Sequence, residues 1–316
     1  MKTKWNAANI PSQTGRRVVI TGANSGIGFQ AALELARRGA EIILPARTRA
    51  KAEDAVARIL KQIPNAKLYP EIIDLAAQSS VREFASRVIE RFSGQWLDIL
   101  INNAGVMALP TREVTVDGFE RQFATNYLGP FALTALLLPS IRPIPGSRVV
   151  TLSSGISKQG KIDFENLQGE RQYKPMLQAY AQSKLADLIF TEELQRRLTA
   201  AGSPIISTAA HPGYAVTNLQ GAHLSVGLKI LMAVFKPFAQ DAAHGALPTL
   251  YAATASEAVS GGYYGPDGAG EMGGYPRAVP IPKAAKDAAI AKRLWAESER
   301  LTGLAFSFSA SNMITA

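Results

Sequence analysis

Short, continuously apolar runs alternate along the chain with longer stretches in which apolar residues recur every three or four positions. The first run is Arg17 to Thr21, followed by Glu41 to Ala46, Lys67 to Ile73, Asp98 to Asn102 and Arg148 to Leu152. Ile205 to Ala210 and Gly262 to Tyr264 complete the set. Uninterrupted apolar runs of this length suit strands of a parallel sheet buried on both faces. Between the third and fourth runs, Val81, Phe84, Ala85, Val88, Ile89 and Phe92 fall at helical spacing, with Ser79 or Ser80 placed to cap. The pattern predicts one α/β domain over residues 1–316, a doubly wound sheet of seven parallel strands with crossover helices. Its core spans about 15–265, and a C-terminal extension covers 266–316. Two segments stand outside the alternation. Leu219 to Gln240 is a separate apolar stretch, and Gly261 to Pro282 is rich in Gly and Pro before a last helix near Lys283 to Leu301.

Composition narrows the picture. Of 316 residues, 47% are apolar and 19% charged, which provides ample material for a core. No cysteine is present, excluding disulfides and thiolate metal sites. The net charge is +9, but the densest basic groups (Arg47, Arg49, Lys51; Arg196, Arg197) hold only two or three residues. Such scatter argues against a nucleic-acid partner and fits a site for a phosphorylated small molecule plus general solvation. The segment Met1 to Gly15 has no signal-peptide h-region. The longest apolar stretch, Tyr127 to Ile141, is interrupted by Gly129, Pro130 and Pro139 and is too short to span a bilayer. A cytoplasmic protein is expected, without membrane association.

The first strand runs into Thr21-Gly22-Ala23-Asn24-Ser25-Gly26-Ile27-Gly28, and a helix is predicted from about Ile27. Glycines at 22, 26 and 28 let the backbone turn tightly and approach a pyrophosphate, while the helix N-terminus offers free N–H groups to the anion. A site for NAD wants an acid near the end of the second strand, about twenty residues on, for the ribose 2′-hydroxyl. Here that stretch reads Pro45-Ala46-Arg47-Thr48-Arg49-Ala50-Lys51, with three cations and no acid. The expected cofactor is NADP(H), with Arg47 as the main contact to the 2′-phosphate.

Tyr180 and Lys184 lie in a helical run that continues through Leu188, Phe190 and Leu194. Four-residue spacing places both on one face. An ammonium near a phenol favours the phenolate, so such a tyrosine can donate a proton to a carbonyl oxygen or take one from an alcohol.

The glycine loop 21–28, Asn102-Asn103-Ala104-Gly105 and the Tyr180/Lys184 pair occur in an order that resembles the short-chain dehydrogenase/reductase family, over about residues 15 to 265. Within it, Ser153-Ser154, Gly160-Lys-Ile-Asp-Phe-Glu-Asn-Leu167, Ala179 to Ala186 and Ala210-His-Pro-Gly213 are similar to the retinol dehydrogenase and protochlorophyllide reductase branch and its bacterial relatives. Ser154 precedes Tyr180 by 26 residues, matching the longer insertion of that branch. The resemblance implies a Rossmann-type sheet and hydride transfer to or from NAD(P). It implies that Ser154, or less readily Ser153, hydrogen-bonds the substrate oxygen, that Tyr180 is the general acid/base, and that Lys184 supports the phenolate and holds the nicotinamide ribose. Asn126 would support a relay water near the lysine. Asp74 and Leu75 would meet adenine, Asn103, Ala104 and Gly105 the adenine ribose, and Pro212, Gly213 and Thr217 the nicotinamide end. Two departures are Pro130, where the family would place a histidine, and Pro45 at the end of the second strand.

Residues 217–240 are expected to form a lid over the substrate, because the family chain after the sixth strand usually lies there. A membrane-surface helix is the alternative reading of the Leu224 to Phe238 stretch, which carries Lys229 and Lys236 among its apolar residues. His211, His223 and His244 show no metal-ligand spacing, so no metal is expected and His211 reads as structural. Apolar residues from Phe131 to Leu138 exceed what one helix face needs, which raises the expectation of a homodimer. The expected function is NADP(H)-dependent interconversion of a carbonyl and an alcohol, on a hydrophobic small-molecule substrate. The rival readings are a catalytically silent NADP-binding regulator and a C=C reductase.

Overall fold

A computed structural model describes residues 4–215 and 240–308. The strands are β1 Arg17–Ile20, β2 Glu41–Ala46, β3 Lys67–Ile72, β4 Ile99–Asn102, β5 Arg148–Leu152, β6 Ile206–Ala210, β7 Tyr263–Pro266 and β8 Pro276–Ala278. They form one sheet in the order β3-β2-β1-β4-β5-β6-β7-β8. The first seven are parallel, as the apolar runs require. The count of seven is corrected to eight: β8, inside the Gly- and Pro-rich stretch, folds back antiparallel on β7, Tyr264 facing Ala278. Strand order reverses between β1 and β4, so a crevice opens beyond their C-terminal ends, the usual ligand position in such sheets.

Side chains along each strand alternate between two cores. Val19, Ile43, Leu100 and Val149 face one side, with α3 (Gln78–Arg91), the short α4 (Arg121–Phe123), α5 (Gly129–Leu137), α6 (Ala181–Ala200) and α8 (Ala288–Thr302). Val18, Ile42, Ile101 and Val150 face the other, with α1 (Gly26–Arg37), α2 (Arg49–Leu60) and α7 (Ala242–Thr254). Pro45 is tolerated because β1 pairs with β2 only as far as Ile43, so the missing N–H costs no rung on that side. Among the described residues, no helix is long and apolar enough to cross a membrane.

Three local expectations change. Neither Ser79 nor Ser80 caps α3. Its Gln78 N–H donates to Asp117 at 2.8 Å, while Ser80 Oγ accepts from Asp74 N–H at 2.9 Å. The last helix divides into a 3₁₀ turn, Lys283–Lys286, and α8, because the Asp287 carboxylate accepts from Ala289 and Ile290 N–H and starts the α-helix there. The apolar surplus of α5 is covered from within the chain. Phe131 meets Trp295 of α8 at 5.2 Å and Phe306 of the following tail at 5.0 Å, and Phe190 of α6 stacks on Trp295 at 5.9 Å. That packing accounts for the apolar surplus of α5 from within one chain. Thr217 and all of the expected lid except Gln240 lie outside the described residues.

Trp295 is the hub of this cluster, with the Arg197 guanidinium 4.2 Å above its ring. Trp295→Ala is expected to cost about 3–5 kcal/mol of unfolding free energy. Urea unfolding followed by circular dichroism checks this. A loss below about 1 kcal/mol would mean that α8 is a peripheral attachment.

Candidate active site

Beyond β1 the chain turns through Gly22 and Gly26, both with positive φ (+69° and +59°), a region that favours glycine. Helix α1 begins at Gly26, one residue before the expected start, and its N-cap Ser25 makes no side-chain capping bond. The first-turn N–H groups are thus left for an anion. Ile27 and Asn24 complete the turn. The loop is fastened from beneath by β4's extension. Asn103 Nδ2 donates to the Thr21 carbonyl at 2.8 Å, and Thr21 Oγ1 accepts from Asn103 and Ala104 N–H at 3.0 and 3.1 Å. Asn103 and Ala104 therefore shape the phosphate loop as well as bordering the crevice. From α2, Arg58 lies 4.1 Å over the Phe29 ring and donates to the Asn24 carbonyl at 3.4 Å. Sequence reasoning missed this buttress, which only the packing of α2 on α1 reveals.

At the adenosine end, Arg47 is exposed just past β2 and makes no hydrogen bond or ion pair among the described residues. Arg49, by contrast, donates to the Pro70 carbonyl and approaches Glu53 at 3.9 Å. Asp74 follows β3, with its Oδ1 accepting from Ala76 N–H at 2.9 Å. Leu75 is buried beside Gly129, where an added Cβ would lie 2.9 Å from Leu75 Cβ.

The catalytic candidates meet at the ends of β4 and β5. Asn126 and Tyr180 both lie in π-helical turns, Ala124–Leu128 and Pro175–Tyr180, the second leading directly into α6. Such turns concentrate at functional sites and carry no residue-type signal. Both N–H bonds of the Asn126 amide are taken, by the Val106 carbonyl and by Ser183 Oγ (2.9 Å each), and its Oδ1 accepts from Val106 N–H at 2.7 Å. Ser183 Oγ in turn donates to the Tyr180 carbonyl at 2.8 Å. Its side chain thus holds the wall in place, and any water it supports must be met by its main chain.

Lys184 Nζ donates to the Leu152 carbonyl at 2.7 Å and to Asp187 Oδ2 at 2.8 Å. An added Cβ on Gly105 would lie 3.2 Å from Asn126 Oδ1 and 3.8 Å from the same Nζ, so Gly105 borders both groups. Asp187 was absent from the sequence reading, although Tyr180, Lys184 and Asp187 share one helical face by spacing. Of the two serines, Ser153 is committed, its hydroxyl donating to the Lys184 main-chain carbonyl at 2.7 Å. Ser154 is half-buried, and its hydroxyl makes no hydrogen bond among the described residues. The geometry favours Ser154 over Ser153.

The long insertion after Ser154 is anchored at its far end: Arg112 Nε donates to the Gln168 carbonyl and Glu120 N–H to Gln168 Oε1, both at 2.7 Å. Pro212 and Gly213 lie against the β7–β8 connection, with Gln240 Nε2 donating to the Pro212 carbonyl at 2.6 Å. His211 is buried, its Nε2 3.1 Å from Glu271 Oε2, and burial pulls its pKa down to about 4 with Glu271 opposing. It is therefore neutral near pH 7.

Comparison with known proteins fits this geometry. The family model described as short chain dehydrogenase matches residues 16–225. The chain is 43% identical to Retinol dehydrogenase 13 of Homo sapiens over 304 residues, covering 94% of this chain and 86% of that protein. It is 39% identical to Polyprenol dehydrogenase of Mus musculus over 303 residues, covering 93% and 86%. A crystal structure of an uncharacterized protein from Mycobacterium Paratuberculosis superposes with a TM-score of 0.80 at 43% identity, over 96% of this chain and all of that one.

Proposed function

The chain belongs to the short-chain dehydrogenase/reductase family, in its retinol dehydrogenase-like branch, and from that premise we propose that it interconverts a hydrophobic carbonyl compound and its alcohol with NADP(H). The observation that carries the reading is the meeting of Tyr180, Lys184 and Asn126 at the strand ends beside a glycine loop built for a pyrophosphate.

The residues fit a dinucleotide. Added Cβ atoms at Gly22 and Gly28 would collide with Ala104 and with Asn103 and the Gly22 carbonyl, so these glycines leave backbone for the phosphates to approach. Arg47 offers a guanidinium unpaired among the described residues where a 2′-phosphate would lie, and residues 45–51 contain no carboxylate for an unphosphorylated ribose. When bound, the nicotinamide supplies or accepts the hydride. Tyr180 gives its proton to the carbonyl oxygen during reduction and takes one from the alcohol during oxidation. The Ser154 hydroxyl donates to that oxygen and stabilises the charge growing on it. Lys184 holds the ribose with its remaining N–H. The names of the relatives, a retinol and a polyprenol dehydrogenase, support an apolar substrate.

A panel of retinal, steroid ketones, aliphatic aldehydes and aromatic ketones, followed by NADPH absorbance, tests the reading. Turnover on at least one apolar carbonyl is expected, and none on any would leave only a nucleotide-binding protein. Arg47→Ala should raise the Kd for NADPH about 10- to 100-fold, roughly 1.4–2.8 kcal/mol, and leave that for NADH nearly unchanged. Equal losses for both cofactors would remove Arg47 from the 2′-phosphate.

A further inference from the structure

Beneath the site sits a charge that the catalytic scheme does not use. Asp187 lies one turn beyond Lys184 on α6, and both are buried, with 1% and 6% of their side chains exposed. Oδ2 of Asp187 meets Lys184 Nζ at 2.8 Å, while Oδ1 has no hydrogen-bond partner among the described residues. A buried carboxylate with one unsatisfied oxygen is costly, and a neutral side chain of similar shape would avoid that cost. Its presence at this position calls for a role in the charge of the lysine.

Resting on the proposed oxidoreductase reading, we propose that Asp187 is a positioning residue, the counter-ion that fixes Lys184 Nζ between β5 and the crevice and opposes the field the lysine presents to the reacting oxygen. The geometry supplies each part. Asp187 and the Leu152 carbonyl take two of the three ammonium protons, which leaves one for a further partner. A carboxylate 2.8 Å from the ammonium opposes the field that the lysine projects one turn back to Tyr180.

The groups around Asp187 leave Lys184 as its counter-charge. From the π turn 124–128 it faces the Tyr127 phenol, which is buried and hydrogen-bonded to Ser298 of α8 at 2.7 Å. From β5 comes only the Leu152 carbonyl, by way of Nζ, and on α6 Thr191 Oγ1 donates to the Asp187 main-chain carbonyl. Burial pushes the Asp187 carboxyl up to about 7, with Lys184 pulling the other way. The counter-charge therefore changes near neutral pH. As pH falls the carboxyl takes up a proton, and Lys184 acts on Tyr180 at full strength.

Asp187→Asn keeps the shape and a hydrogen-bond acceptor while removing the charge. With retinol and NADP⁺, or another alcohol from the pair the wild type uses, the pH at which kcat/KM is half-maximal should fall by roughly one unit. Asp187→Glu should bring it back toward wild type. Superimposable profiles for wild type and Asp187→Asn would overturn the proposal. A second readout needs no cofactor. A carboxyl raised in the folded state stabilises fully below its unfolded pKa, and that stability is lost as pH rises through the folded value. The Tm of Asp187→Asn should therefore gain on wild type between about pH 4 and 7. A gain that kept growing well above pH 7 would show that the folded chain holds this carboxyl protonated, so that no counter-charge forms, and would overturn the proposal equally. If the wild type turned over nothing, the enzyme reading would fail, and the Tm series would still judge Asp187.

Discussion

Tyr180→Phe is expected to lower kcat by about two to four orders of magnitude while leaving the Kd for NADPH within about twofold of wild type. The ring is buried, with 8% of Tyr180 exposed, so exchanging phenol for phenyl removes one oxygen and leaves the packing in place. The main-chain carbonyl of the residue still accepts from Ser183 Oγ, so the π turn and the start of α6 keep their anchor. Lys184 keeps both its protein partners, so the cofactor site does not lose the ribose contact proposed for it. What disappears is, among the described residues of the site, the hydroxyl one helical turn from the ammonium. Ser154 can still donate a hydrogen bond but has no adjacent cation to share the charge it would acquire. Steady-state turnover and a fluorescence titration with NADPH, on the same preparation, separate the two effects. Full turnover with intact binding would take the proton-transfer role away from Tyr180, and lost binding would make it a cofactor residue.

How far the molecule could be read from its sequence depended on whether each requirement was local. The glycine loop, Asn102 to Gly105 and the Tyr180/Lys184 pair are each confined to a few consecutive residues, because each shapes one turn or one helical face. Apolar runs located the strands for the same reason. Requirements spanning the chain were silent. The cap of α3 comes from Asp117, 39 residues from Gln78 in sequence, and no window around Gln78 could show it. The π turns holding Asn126 and Tyr180 arise from how those segments meet β4 and α6, and no residue type marks them. Strand β8 has only three residues, one half-buried and two exposed at a sheet edge, so it lacks an apolar run. The surplus on α5 announced burial without naming the cover, which proved to be Trp295 and Phe306. Asp187 was visible by spacing, but a Lys and an Asp three residues apart usually form a solvated pair. Only tertiary burial turns this one into a counter-ion.

Gly28→Ala is expected to raise the Kd for NADPH at least about 100-fold, roughly 2.8 kcal/mol, and to lower Tm in the absence of cofactor. The added methyl has nowhere to go. On one side it would overlap Asn103 Nδ2, which is held by its bond to the Thr21 carbonyl. On another it would lie 2.6 Å from the Gly22 carbonyl oxygen, a backbone atom that moves only with the whole loop. That loop cannot retreat, because Gly22 already packs so close to Ala104 that its own Cβ would come within 2.8 Å of Ala104 Cα. The turn is squeezed between α1 and the extension of β4, and relief must come from the backbone that would receive the pyrophosphate. The same shift pulls on Thr21 and Asn103, which accounts for the expected loss in Tm. Isothermal titration with NADPH, paired with a thermal scan, tests this directly. An alanine variant that bound NADPH like wild type would mean that the phosphates do not approach the chain at this turn. The position of Tyr180 and Lys184 relative to a dinucleotide would then need a different origin.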